Sequence, residues 1–118
     1  LKMDIIITVP KSERHRIAQE RAWAKRISET TYKYWRVSRL PKKLRIGDRV
    51  YFSEDDRINY WQEYAGFDMF DKESFTCEAT KKDWGLGTFL MLKHPVRKLR
   101  KSVPMKGFRG FRYTKRLS

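Results

Sequence analysis

The sequence predicts an α+β fold, a small barrel-like set of short strands carrying one helix. Three observations lead there. An unbroken apolar run, Ile5-Ile6-Ile7-Thr8-Val9, reads as a strand buried on both faces. A helical stretch with one apolar stripe follows it. Then Gly47-Asp48 turns the chain into Arg49-Val50-Tyr51-Phe52, a segment of high β propensity that reads as the central strand. The 118 residues suffice for one core, so residues 1–118 are expected to form a single domain with a basic, aromatic C-terminal segment.

The first strand runs from Asp4 to Val9 and stops at Pro10. Ser12 is a suitable N-cap with Glu13 in the first turn, which opens a helix to about Ser28. At about 100° per residue Ile17, Trp23, Ala24 and Ile27 share one arc, while Arg14, Arg21, Lys25 and Arg26 occupy the rest. Thr31 to Val37 alternates as a strand, with Tyr32, Tyr34 and Arg36 on one side and Lys33, Trp35 and Val37 on the other. One side belongs to the core; the other can display rings and cations, and the sequence alone leaves both assignments open. Pro41 keeps any helix from entering the Gly47 turn.

After a polar turn at Ser53–Asp56, a strand is expected from Ile58 to Phe67, with Gly66 placed for a close approach of backbone or ligand. Asp68 to Glu73 reads as an acidic loop, Phe75 to Ala79 as a short strand and Thr80 to Asp83 as a turn. Thr88 to Leu92 is a second buried strand that His94-Pro95 should terminate. Gly85 and Gly87 lack the Gly-Lys-Ser/Thr and following helix of a phosphate-binding loop.

Charge narrows the function. Twenty-eight Lys and Arg against 14 Asp and Glu leave +14, which points to a polyanionic partner, most commonly nucleic acid. From Gly85 onward there are ten basic residues and no acidic one, whereas Glu54 to Glu78 holds eight acids and two bases. A basic face and an acidic edge are expected. Short apolar runs exclude a membrane-spanning helix, and the lone Cys77 fits a reducing, cytoplasmic setting and reads as a small buried hydrophobe. His15 has no partner at metal-ligand or triad spacing, so neither metal nor other cofactor is expected.

The segment Pro41-x-x-Leu44-x-Ile46-Gly47-Asp48-Arg49-Val50-Tyr51-Phe52, after strand and helix and before Ala65-Gly66-Phe67 and a strand ending in Pro95-Val96, resembles the PUA-like superfamily, especially its EVE and ASCH branches. That resemblance implies a mixed pseudo-barrel of five to six strands with one or two helices and a cleft between barrel and helix. It also implies RNA or modified-base recognition or, in ASCH-like members, hydrolysis of an acylated nucleoside. The ASCH pattern departs here: Lys33-Tyr34-Trp35 stands where an acid would precede Arg36, leaving only Lys42 or Lys43, Glu78 and Thr80 as catalytic counterparts.

Independently, the run Gly107-Phe108-Arg109-Gly110-Phe111-Arg112-Tyr113 combines stacking rings with cations that can pair with phosphate. The expected function is a non-catalytic module that holds RNA, or single-stranded or modified DNA, in a basic aromatic cleft. The expected contacts are Trp35, Arg36, Arg39, Lys42, Trp84, Lys106, Phe108, Arg109, Phe111 and Arg112, with Trp35 or Trp84 as a wall of the cleft. The alternatives are the ASCH-like hydrolase and a structural adaptor that uses its basic face without selecting bases.

Overall fold

The computed structural model describes residues 3–13, 32–76 and 83–117, with backbone alone at 70–76 and 83–86. Six strands form one mixed sheet: β1 (Asp4–Thr8), β2 (Tyr32–Val37), β3 (Arg49–Glu54), β4 (Arg57–Thr76), β5 (Asp83–Pro104) and β6 (Phe111–Thr114). Their spatial order is β2-β5-β4-β3-β1-β6; β1 and β3 run parallel and the other neighbours antiparallel.

The expected α+β barrel is corrected on two points. Helical structure among the described residues is limited to a 3-10 turn at Lys11–Glu13, so the described part of the fold is all-β. The sheet is also open, with β2 and β6 as its two edges rather than partners. The helix expected from Ser12 to Ser28 falls, beyond its first residues, on 14–31, outside the described residues.

Much of the difference comes from β4 and β5, which absorb stretches that read as loop or terminator. The acidic segment Asp68–Glu73 belongs to β4. His94-Pro95, joined by a cis peptide, does not end β5: Lys93 and Arg97 face Glu63 and Trp61, so β5 accommodates two extra residues as a bulge. Gly66 marks another bulge, since Tyr64 and Gly66 face the adjacent Leu92 and Met91. Its φ of 124° explains the glycine, because a side chain there would meet nothing within 4 Å and no close approach occurs.

The β1 run is buried on both faces, as its unbroken apolar sequence requires. Ile5 and Ile7 join Val50, Phe52, Tyr64, Leu90 and Leu92 on an inner face. Ile6 turns the other way, to Tyr51, Ile58 and Leu99. Burying each such side chain stabilises the fold by roughly 1.5–3 kcal/mol. The sheet curls toward the inner face: Trp35 of edge strand β2 meets Phe52 of β3 edge-on at 5.8 Å, although β5 and β4 lie between them in the sheet. The outer face is covered by the C-terminal chain, whose Met105, Phe108 and Leu117 pack against Ile6, Tyr51, Ile58 and Leu99.

The turn before β3 forms as its chemistry dictates. Gly47 has φ of 99°, Asp48 Oδ2 accepts the Arg45 N–H at 2.8 Å, and the Gly47 N–H donates to the Tyr64 carbonyl at 2.9 Å. These bonds fix where the preceding 39–44 segment leaves the sheet. No helix among the described residues is long and apolar enough to cross a membrane.

Candidate nucleic-acid interface

Strand alternation places the first part of the site. β6 pairs antiparallel with β1, Ile5 opposite Tyr113 and Ile7 opposite Phe111, so both rings lie on the inner face and Arg112 on the outer one. Facing those rings is the segment that follows β2. Pro41 and Leu44 are buried and the Leu44 N–H closes a turn onto the Pro41 carbonyl at 3.2 Å, which leaves Lys42 and Lys43 exposed at its tip. The Lys43 N–H donates to the Tyr113 hydroxyl at 3.0 Å and ties the turn to β6.

Between turn and strand opens a cleft of about 270 Å³, lined by Arg39, Leu40, Lys42, Lys43, Phe111 and Tyr113. The Arg39 guanidinium lies 5.2 Å from the Phe111 ring centre, and the Lys43 ammonium lies 5.6 Å from that of Tyr113. The two rings meet edge-to-face at 5.4 Å. Each cation–ring pair contributes about 0.5–1 kcal/mol at an exposed site and holds the charge at the cleft mouth. Among the described residues no acidic side chain lines the cleft.

Of the expected contacts, Arg39, Lys42 and Phe111 come together here. Trp35 lies on the core side of β2 with Lys33 and Val37, and the buried Lys33 ammonium sits 5.4 Å from its ring. Arg36 projects from the other side of β2, its guanidinium against Gly87. Lys106 and Arg109 are exposed in the chain leading to β6. Phe108 is half-buried on the outer face with Arg112 stacked 4.4 Å from its ring. Trp84 belongs to β5 by its backbone, and its side chain lies outside what is described. Cys77, Glu78 and Thr80 lie outside the described residues; of the residues named for the hydrolase alternative, Lys42 and Lys43 are described, and both are exposed.

Sequence reasoning counted Tyr113 among the rings of the C-terminal run without naming it an expected contact, and took Lys43 only as a catalytic amine; both line the cleft. The signal for Tyr113 was present: once Phe111 starts a strand, a period of two puts residue 113 on the same face. Lys43 carried no comparable signal, because its position depends on a hydrogen bond across 70 residues.

The outer face holds a second set of rings and cations with different partners. Arg49 stacks 3.9 Å from the Trp61 ring and donates from Nη1 to the Leu117 carbonyl at 3.3 Å. Arg97 stands 6.0 Å from the same ring. The fully buried Asp4 carboxylate accepts the Arg49 N–H at 2.8 Å and the Arg116 guanidinium at 3.3 Å. Tyr51 accepts the Leu117 N–H at 2.9 Å, and burial pushes its hydroxyl pKa above the usual tyrosine value. Lys93 pairs with Glu63 at 3.0 Å, a contact that raises the lysine pKa. Among the described residues no group of three or more His, Cys, Asp or Glu is disposed to hold a metal ion.

Comparison of the chain with protein-family models, with curated proteins and with solved structures finds no match.

Proposed function

We propose that the protein is a non-catalytic nucleic-acid-binding module that holds a single strand, RNA or DNA, in the cleft between the 39–43 segment and β6. The observation that carries this reading is the pairing of exposed cations with aromatic rings in one cleft that no described acidic side chain lines, Arg39 with Phe111 and Lys43 with Tyr113. Lys and Arg neutralise phosphates, while a base laid on the Arg39 guanidinium would continue the stack begun by Phe111. Stacking of this kind needs an unpaired base, which favours a single strand over a duplex. The +14 charge adds long-range attraction for any polyanion.

The likeness of the Pro41–Phe52 motif to PUA-like proteins suits a base-reading role, modified bases included, and a cytoplasmic setting suits the single cysteine. Neither is needed for the proposal. Anisotropy of a labelled single-stranded RNA, titrated at several salt concentrations, tests it. With about four phosphates contacted, log K should fall against log salt with a slope near −3. Affinity that stays constant as salt rises would overturn the reading.

A further inference from the structure

We infer that the cleft discriminates among bases by their exocyclic group, preferring the keto bases uracil and guanine to the amino bases cytosine and adenine. The inference rests on the single-strand reading above and concerns the hydrogen-bonding character of the same cleft. Its lining side chains offer donors: the Arg39 guanidinium, the Lys42 and Lys43 ammoniums and the Tyr113 hydroxyl. Leu40 and Phe111 offer no polar side-chain atom, and among the described residues that line the cleft no carboxylate, amide or imidazole contributes an acceptor. The Tyr113 oxygen is already engaged as acceptor by the Lys43 N–H at 3.0 Å. That bond fixes the hydroxyl at the cleft and leaves its proton to be donated.

A base that enters with its 4- or 6-position turned to the Tyr113 hydroxyl is read there by what that position can accept, whereas ring nitrogens and O2 of any base can accept from the exposed lysines. Uracil presents O4 where cytosine presents the N4 amino group, and guanine presents O6 where adenine presents the N6 amino group. An amino group directed at Arg39, the lysines or the Tyr113 hydroxyl would set donor against donor and bury a polar group without a partner. Phosphate contacts are the same for every base, so they supply affinity without choice. Stacking on Phe111 through Arg39 is likewise tolerant of base identity. Selection therefore falls to the donors, and Tyr113 is the one neutral donor among the described side chains that line the cleft, held in place from both sides by the turn and by β6.

Oligouridine and oligocytidine of equal length, both flexible single strands with the same backbone, separate these contributions. The unmodified protein should bind oligouridine about fivefold or more tightly than oligocytidine at the same salt concentration. Tyr113→Phe, which keeps the ring, should bring the two within about twofold, chiefly by weakening the uridine complex. Inosine and adenosine oligomers should repeat the order, inosine tighter. Equal affinity for uridine and cytidine, with a steep salt dependence for both, would overturn the base preference and leave a backbone binder. A preference that survives in Tyr113→Phe would overturn the role given to Tyr113. Failure of every oligomer to bind would overturn the single-strand reading and the inference together.

Discussion

The two faces of the sheet carry the same chemistry to opposite ends. On the outer face, Arg49 lies on Trp61 and Arg116 reaches Asp4, and both guanidiniums also meet acceptors supplied by the protein itself, the Leu117 carbonyl and the buried carboxylate. On the inner face, Arg39 lies on Phe111 and Lys43 on Tyr113, with no acid among the described residues that line the cleft around them. A cation over a ring is therefore no signature of binding by itself. Whether internal acceptors consume its donors decides whether it holds the fold or awaits a ligand.

The largest test of this contrast is on stability. Asp4→Ala removes the acceptor shared by the Arg49 N–H and Arg116, and should destabilise the protein by about 2–3 kcal/mol. That lies below the cost of breaking a fully buried pair, because the Arg116 side chain is 32 % exposed. Urea denaturation would measure it. The folded fraction should bind single-stranded RNA as the unmodified protein does.

Phe108→Ala and Phe111→Ala sharpen the contrast at smaller cost. Each ring is half-buried, Phe108 against the outer cluster and Phe111 against the inner one, so each loss should destabilise by about 2 kcal/mol. Only Phe111→Ala should weaken RNA binding, by about tenfold, the equivalent of one stacked base. Equal loss of binding in both would place the ligand on the wrong face.

Alkaline pH offers a gentler probe of the outer face. Burial raises the Tyr51 pKa above its ordinary value, so the folded state keeps the proton more tightly than the unfolded chain does. Stability is then fully present below about pH 10 and declines as pH rises through the folded value. Tyr34 and Tyr64 are raised as well, chiefly by burial, so Tyr51→Phe should make the decline shallower without abolishing it. Denaturation midpoints across the alkaline range would show an unchanged slope if Tyr51 were titrating freely in solvent.

Local chemistry made part of this molecule legible in the sequence. The apolar run of β1, the alternation of β2 and the Gly47-Asp48 turn act within a few residues, and each forms as read. What escaped depends on partners far along the chain. Asp68–Glu73 looks like a loop because of its acids, yet it belongs to a strand paired with β5. His94-Pro95 looks like a terminator because proline lacks a donor, yet a bulge carries it inside a longer strand. Barrel closure, too, is a property of which edges meet, and β2 and β6 do not. The cleft was half legible: Arg39, Lys42 and Phe111 stood out by type, whereas Tyr113 and Lys43 needed the β1–β6 register and the bond between them.

The most direct measurement compares two variants that lose equal charge from opposite faces. Arg39→Ala/Lys43→Ala removes cations from the cleft, and Arg49→Ala/Arg116→Ala removes as many from the outer face. Affinity for a labelled oligouridine would be followed across a salt series, at temperatures where both variants are folded. The cleft variant should bind at least tenfold more weakly, with a salt slope shallower by about 1.4, or 0.7 for each lost phosphate contact. The outer-face variant should lose stability and keep the slope of the unmodified protein. Equal weakening in the two variants would mean that net charge, and not the cleft, holds the strand, and would contradict the account.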